Sequence, residues 1–346
     1  MKNFGWILLF IVFVLVLVTF RSKMMEWFSK DDQDTEYKAI RKYLLNDSPL
    51  YGFNKPKLWI HTKYDINARN WLKTRNTTDL NQPYISLTVQ SIVNHCSEDF
   101  HICLINDESF SKLIPSWDAS LSAMPEPLRS QTREIALLQL VYYYGGIVVP
   151  DSFVCLQNLL PLYQKASRKN LPWVAEQVNR TCQSMKKERP VFLPSSYFMA
   201  TPKNHVTILE WIEFLKGVLA ASPHFSQENK LLAVSEEWAS QAIQDGKMDL
   251  LDGTLIGIKK SGNPSDEGRP VLLEDLLGED YIPLLNDLYG LYIPEDEVLR
   301  RTKYQWFAVM SQQDILDSRM IVAKYMLASA VDAAAKGHVV RSMDSA

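Results

Sequence analysis

Asp151 and Ser152 follow the apolar run Ile147-Val148-Val149-Pro150, which places them just past the end of a short buried strand. A carboxylate beside a hydroxyl at such a strand end is suited to a ligand site, because open α/β sheets bind ligands outside the carboxyl ends of their strands. Two other predicted strands end the same way. Lys57-Leu58-Trp59-Ile60-His61 closes on a histidine, and Phe100-His101-Ile102-Cys103-Leu104-Ile105 runs into Asn106-Asp107. Glu134 adds a carboxylate near the start of a predicted helix. Each residue also has an ordinary structural use. Asp151 suits a turn after Pro150, Asn106 and Asp107 suit turn chemistry, and Glu134 complements a helix N-terminus.

The elements that position these groups read clearly. Residues 84–95 carry Ile85, Val89, Ile92 and Val93 at helical spacing between the first two strands. A strand, a helix and a second strand make a βαβ unit and hence a parallel α/β sheet. Ile135, Leu138, Val141 and Tyr142 mark a second helix, which Gly145-Gly146 ends. Further on, 196–200 reads as a strand, 206–220 and 228–242 as helices, 255–258 as a strand, and 312–335 as helical. Residues 259–270 read as a loop. Among 346 residues, 37 Lys plus Arg against 40 Asp plus Glu give a net charge of −3. That balance argues against a broad nucleic-acid-binding face. Four cysteines are too few for a disulfide scaffold, although Cys96 and Cys103 can pair if the body is lumenal. No P-loop, G-x-S-x-G elbow or G-x-G-x-x-G is present.

Residues 4–20 contain no charge. As a helix they would extend about 26 Å, near the lower limit for a bilayer span. Arg21 and Lys23 follow, with no small-residue cleavage site between. The expected organisation is a signal-anchor transmembrane helix in 1–28, a stem in 29–55, a folded domain in 56–335 and a flexible tail in 336–346. This is a single-pass protein of endomembrane, type II character, with a lumenal or a cytoplasmic body left open. The sequons at Asn76 and Asn179 do not decide between them.

The run Tyr142-Tyr143-Tyr144-Gly145-Gly146-Ile147-Val148-Val149-Pro150-Asp151-Ser152 resembles the "LYxYGGIYLDxD" signature of DXD-containing glycosyltransferases, the sugar-binding-region family of initiating mannosyltransferases and capsular polysaccharide synthesis proteins. Residues 56–61 are similar to its "IPKIIHxxW" opening, residues 91–107 to its "SWxxxNPxYxxxLWxD" segment, and residues 197–205 to its "NAFMAAPKGHP" segment. Aligned on Gly145-Gly146, the two aspartates of the DXD fall on Pro150 and Ser152, with Asp151 between them. The resemblance covers about 57–215.

It implies a GT-A-like, Rossmann-like α/β/α sandwich with a helical C-terminal addition. It also implies sugar transfer from a nucleoside diphosphate sugar to a glycan or glycoconjugate. Asp151 and Ser152 would hold Mn²⁺ or Mg²⁺, whose charge stabilises the departing diphosphate. Trp59, His61 and Asp107 would line the nucleotide pocket and Glu134 would face the sugar. Gly145, Gly146, Asn204 and His205 would complete the substrate site. The alternative is a non-catalytic glycan- or nucleotide-binding protein on the same fold, with the metal site lost.

Overall fold

The computed structural model describes residues 55–63, 82–179, 191–221, 228–261 and 267–335. All belong to one compact unit, 47–346. The expected anchor at 1–28, all but the last residue of the expected stem, and the expected tail at 336–346 lie outside the described residues. Among the described residues, no helix is long and apolar enough to cross a membrane.

The chain forms β1 (Lys57–His61), α1 (Pro83–Cys96), β2 (His101–Ile105), α2 (Phe110–Leu113), α3 (Leu128–Tyr144), β3 (Gly146–Pro150), β4 (Phe153–Cys155), α4 (Leu160–Lys169), β5 (Trp173–Val178) and β6 (Phe192–Thr201). There follow α5 (Val206–Ala221), α6 (Glu228–Gln244), β7 (Asp249–Leu251), α7 (Leu273–Leu277), β8 (Gly290–Tyr292), α8 (Glu295–Arg300), α9 (Gln305–Ala308), α10 (Gln312–Leu316) and α11 (Ile321–Ala335). Six strands make one sheet in the order β2-β1-β3-β6-β5-β7, and β4 pairs with β8 in a separate ribbon. Only β6 runs against the others.

The crossovers β1-α1-β2 and β2-α3-β3 step in opposite directions from β1. Right-handed connections then put α1 and α3 on opposite faces and open a crevice at the carboxyl ends of β1 and β3. On the α3 face, Trp59, Val148, Met199 and Val174 project from four adjacent strands into a core with Leu138, Trp211, Ile212 and Ala239. Leu58, Ile60, Ile147 and Val149 are equally buried and, by strand alternation, point to the other face.

Three expectations are corrected here. No strand forms at 255–258, because the Asp252 carboxylate accepts from Thr254 N–H and starts a 3-10 turn, Gly253–Ile256. Gly257, at φ +67°, ends that turn, and the neighbouring strand is β7 instead. The continuous helix expected over 312–335 is two helices, α10 and α11. Cys96 and Cys103 are both buried free thiols.

Candidate functional site

Three parallel strands end level with one another. His61 of β1 is in register with Ile105 of β2 and with Pro150 of β3. The next residues, Thr62-Lys63, Asn106-Asp107 and Asp151-Ser152, therefore emerge side by side at the crevice. The N-terminal turns of α1 and α3 arrive at the same edge, because a crossover helix runs against the strands it connects.

Asp107 is the hub of the first group. Arg133 holds it bidentately, Nε to Oδ1 at 2.8 Å and Nη2 to Oδ2 at 2.7 Å. His61 Nε2 lies 2.9 Å from Oδ1. An ionised carboxylate only accepts, so Nε2 carries the proton. Burial alone would raise the Asp107 carboxyl, but its bonds to Arg133 and His61 outweigh that and hold it well below the usual carboxylate range. Burial pushes the His61 imidazole below its ordinary value, and Asp107 only partly offsets this. The ring is fixed by stacking on Phe110, with centroids 5.4 Å apart and planes 5° from parallel.

The second group joins the ends of β1 and β3 to the start of α8. Lys63 Nζ is 2.8 Å from Glu295 Oε1 and 3.4 Å from Asp296 Oδ1. Glu295 is hydrogen-bonded to Asp151, and both are buried. Burial, together with the charge and hydrogen bond of Glu295, raises Asp151 well above the usual range. Burial also opposes ionisation of Glu295, yet Lys63 and the Asp151 hydrogen bond lower it below the ordinary value. Of the two carboxyls Asp151 is thus the harder to ionise, and Glu295 is the one that faces Lys63. The Tyr84 phenol lies fully buried beside this pair. Among the described residues its hydroxyl has no hydrogen-bond partner, and burial and then the charges of Glu295 and Asp151 raise it far above its usual value.

The third group surrounds Glu134. Its Oε1 accepts from the hydroxyls of Ser196 on β6 and Ser235 on α6, each at 2.6 Å. Burial raises this carboxyl despite those bonds. Glu236 is raised to about 7 by burial and by the charges of Glu134 and Glu237. A small pocket beside Glu134 is lined by Gln131, Ile135 and Leu215, and among the described residues the buried Gln131 amide has no partner.

The sequence-derived candidates thus divide. His61, Asp107, Glu134, Asp151 and Ser152 belong to the carboxyl edge. Trp59 lies mid-strand, fully buried, and its Nε1 donates to Gly145 O at 3.0 Å. It is a core residue and does not line a pocket. Gly145 precedes β3 and Gly146 is its first residue, so both lie at the opposite edge of the sheet. Gly145 caps α3 at φ +67°, and Gly146, at φ +112°, lets β3 pass so close to β1 that an added Cβ would lie 2.2 Å from Lys57 O. Asn204 and His205 follow the far end of β6, at that same opposite edge. The Asn204 N–H donates to Tyr142 O, and the His205 ring bonds Asn170 O. The glycines shape a helix-to-strand turn and Asn204 and His205 a strand-to-helix turn, and all four stand apart from the crevice.

Sequence reasoning missed Lys63, Tyr84 and Glu295 and gave Arg133 no role in the site. Arg133 carried a usable signal, being next to Glu134 in the first turns of a helix aimed at the strand ends. Glu295 carried none, since its partner Lys63 is 232 residues away.

The donor set does not fit Mn²⁺ or Mg²⁺ as it is arranged. Asp151 is buried, raised in pKa and bonded to Glu295, Ser152 is 1% exposed, and an ammonium already lies against Glu295. Among the described residues, no three His, Cys, Asp or Glu side chains are grouped to hold a metal ion. No step below is routed through one.

A cavity of about 650 Å³ lies elsewhere, lined by Leu156, Tyr281, Leu284, Leu288, Tyr325 and Asp332 among others, and no strand-edge residue borders it. No protein-family model matches the sequence, and no curated protein does so either. Among solved structures, one titled "PaToxG Glycosyltransferase" is similar over 62% of this chain and 78% of its own length, at 15% identity and a TM-score of 0.33.

Proposed function

We propose that this chain is a glycosyltransferase that moves a sugar from a nucleoside diphosphate sugar to a glycan or glycoconjugate, held at a membrane by residues 4–20. The observation that carries this reading is the convergence of the His61–Asp107–Arg133 and Lys63–Glu295–Asp151 groups at the crevice between β1 and β3. The motif resemblance around 142–152 agrees with it in position. In this reading His61 and Asp107 border the nucleotide, Asp151 lies beneath the diphosphate and Glu134 faces the sugar. Burial keeps the imidazole neutral and the Asp107–Arg133 pair orients it, so that one face of the nucleotide meets a fixed wall. The departing diphosphate gains negative charge as the glycosidic bond breaks, and preorganised cations and donors are what stabilise it.

The test is release of nucleoside diphosphate from a panel of UDP-, GDP- and ADP-sugars by the full chain, with Mn²⁺ and with EDTA. Turnover of at least one donor is expected, falling by about tenfold or more in Asp151→Asn. Absence of turnover with every donor would sink the transferase reading.

A second reading has a specific observation behind it. Asp151 is buried and already bonded to Glu295, which suits a non-catalytic nucleotide- or glycan-binding protein. Binding of a nucleotide without turnover under any condition would select it.

A further inference from the structure

Resting on the reading above, we infer that Lys63 is the cation that meets the donor diphosphate, and that this chain binds its nucleotide without a divalent ion. Four observations at the crevice lead there. Lys63 follows β1 at the level of Asp151, with its side chain 32% exposed. An ammonium has three donors, and among the described residues Lys63 uses two, on Glu295 and Asp296. The Asp296 contact is the looser, at 3.4 Å to a carboxylate 61% exposed, and is the one a phosphate oxygen would replace.

The N-terminus of α1 borders the same place, because Thr88 in its second turn donates to Asp151 O. Gln82, the residue before the helix, caps it with no side-chain bond. The Tyr84 hydroxyl there is more than nine-tenths buried and, among the described residues, without a hydrogen-bond partner. A partnerless phenol beside a positive helix end is a donor awaiting an anionic acceptor. The carboxylates that would otherwise recruit a metal are consumed in holding this lysine. Asp151 is hydrogen-bonded to Glu295, and Glu295 Oε1 lies 2.8 Å from the ammonium.

Calorimetric titration of the full chain with UDP, GDP, ADP and inorganic pyrophosphate, in EDTA and again in Mn²⁺, tests this. At least one ligand should bind in EDTA with a Kd within about threefold of that in Mn²⁺. In Lys63→Met the affinity should fall by about tenfold to a hundredfold, the loss of one charge-assisted contact, while Lys63→Arg keeps most of it. Binding that requires Mn²⁺ would overturn this inference and leave the transferase reading standing. Equal affinity of wild type and Lys63→Met in EDTA, with both folded by circular dichroism, would also overturn it. The EDTA comparison on wild type needs no variant, so it stands even if Lys63→Met fails to fold. No binding of any of the four ligands in either medium would overturn this inference and the nucleotide-dependent reading together.

Discussion

Asp107 takes hydrogen bonds from Arg133 on both oxygens and from His61 on one, so acid should disturb this edge in two steps. The first step belongs to His61. A base whose folded value is lowered contributes stability that is present above its unfolded value, about 6.5, and lost as the pH falls below it. The second belongs to Asp107. Its depressed carboxyl contributes stability present above its unfolded value, about 4, and lost as the pH falls further. Urea unfolding as a function of pH should therefore decline below about 6.5 and again below about 4. His61→Gln should flatten the first decline and leave the second in place. Arg133→Lys replaces a planar fork with a point charge and should cost about 1–2 kcal/mol at pH 7, read from the same urea midpoints. His61, Asp107 and Asp151 were legible in the sequence because each directly follows a run of buried strand residues. Lys63 and Glu295 were not, because a lysine after a strand and a glutamate after a proline look like solvated surface until they meet.

At the scale of elements, the tightest constraint is the approach of β3 to β1 at Gly146. The alanine methyl would lie 2.2 Å from Lys57 O and 3.0 Å from Lys57 C, both backbone, and at φ +112° the L side chain is strained in any case. Gly146→Ala should cost more than about 3 kcal/mol, measured by urea denaturation, because neither strand can move without breaking ladder bonds. The Gly-Gly pair was legible as a helix stop, but its distance from the crevice was not. A glycine pair and the aspartate five residues after it sit at opposite ends of one strand, and only the register of β1 with β3 makes that plain. The three-residue strands β4, β7 and β8 are too short to show any period, and the 3-10 turn at 253–256 hides among apolar residues because one side-chain cap decides it. Strands β1, β2 and β3 were readable for the opposite reason. They are short apolar runs bounded by polar residues, as buried parallel strands must be.

Across the whole sheet, β6 joins two parallel groups, β2-β1-β3 and β5-β7, and it sits near the middle of the strand order. Amide exchange should be slowest in β3 and β6, where both neighbours are paired and Val148 and Met199 lie in the core. Exchange should be faster in β2 and β7, whose outer sides are unpaired within this sheet. Hydrogen exchange with mass spectrometry resolves these segments, and equal protection of β7 and β3 would contradict this ranking. The ribbon of β4 with β8 has a different consequence, for biosynthesis. It stitches the segment just after Ser152 to the segment just before Glu295, and so carries Glu295 to a lysine 232 residues upstream. A nascent chain that has emerged only as far as β7 can pair its whole main sheet while Lys63 and Asp151 still lack their carboxylate. Ribosome-stalled chains ending before residue 290 would be assembled in their sheet yet unfinished at the crevice, and translation of the last sixth of the chain is what completes it.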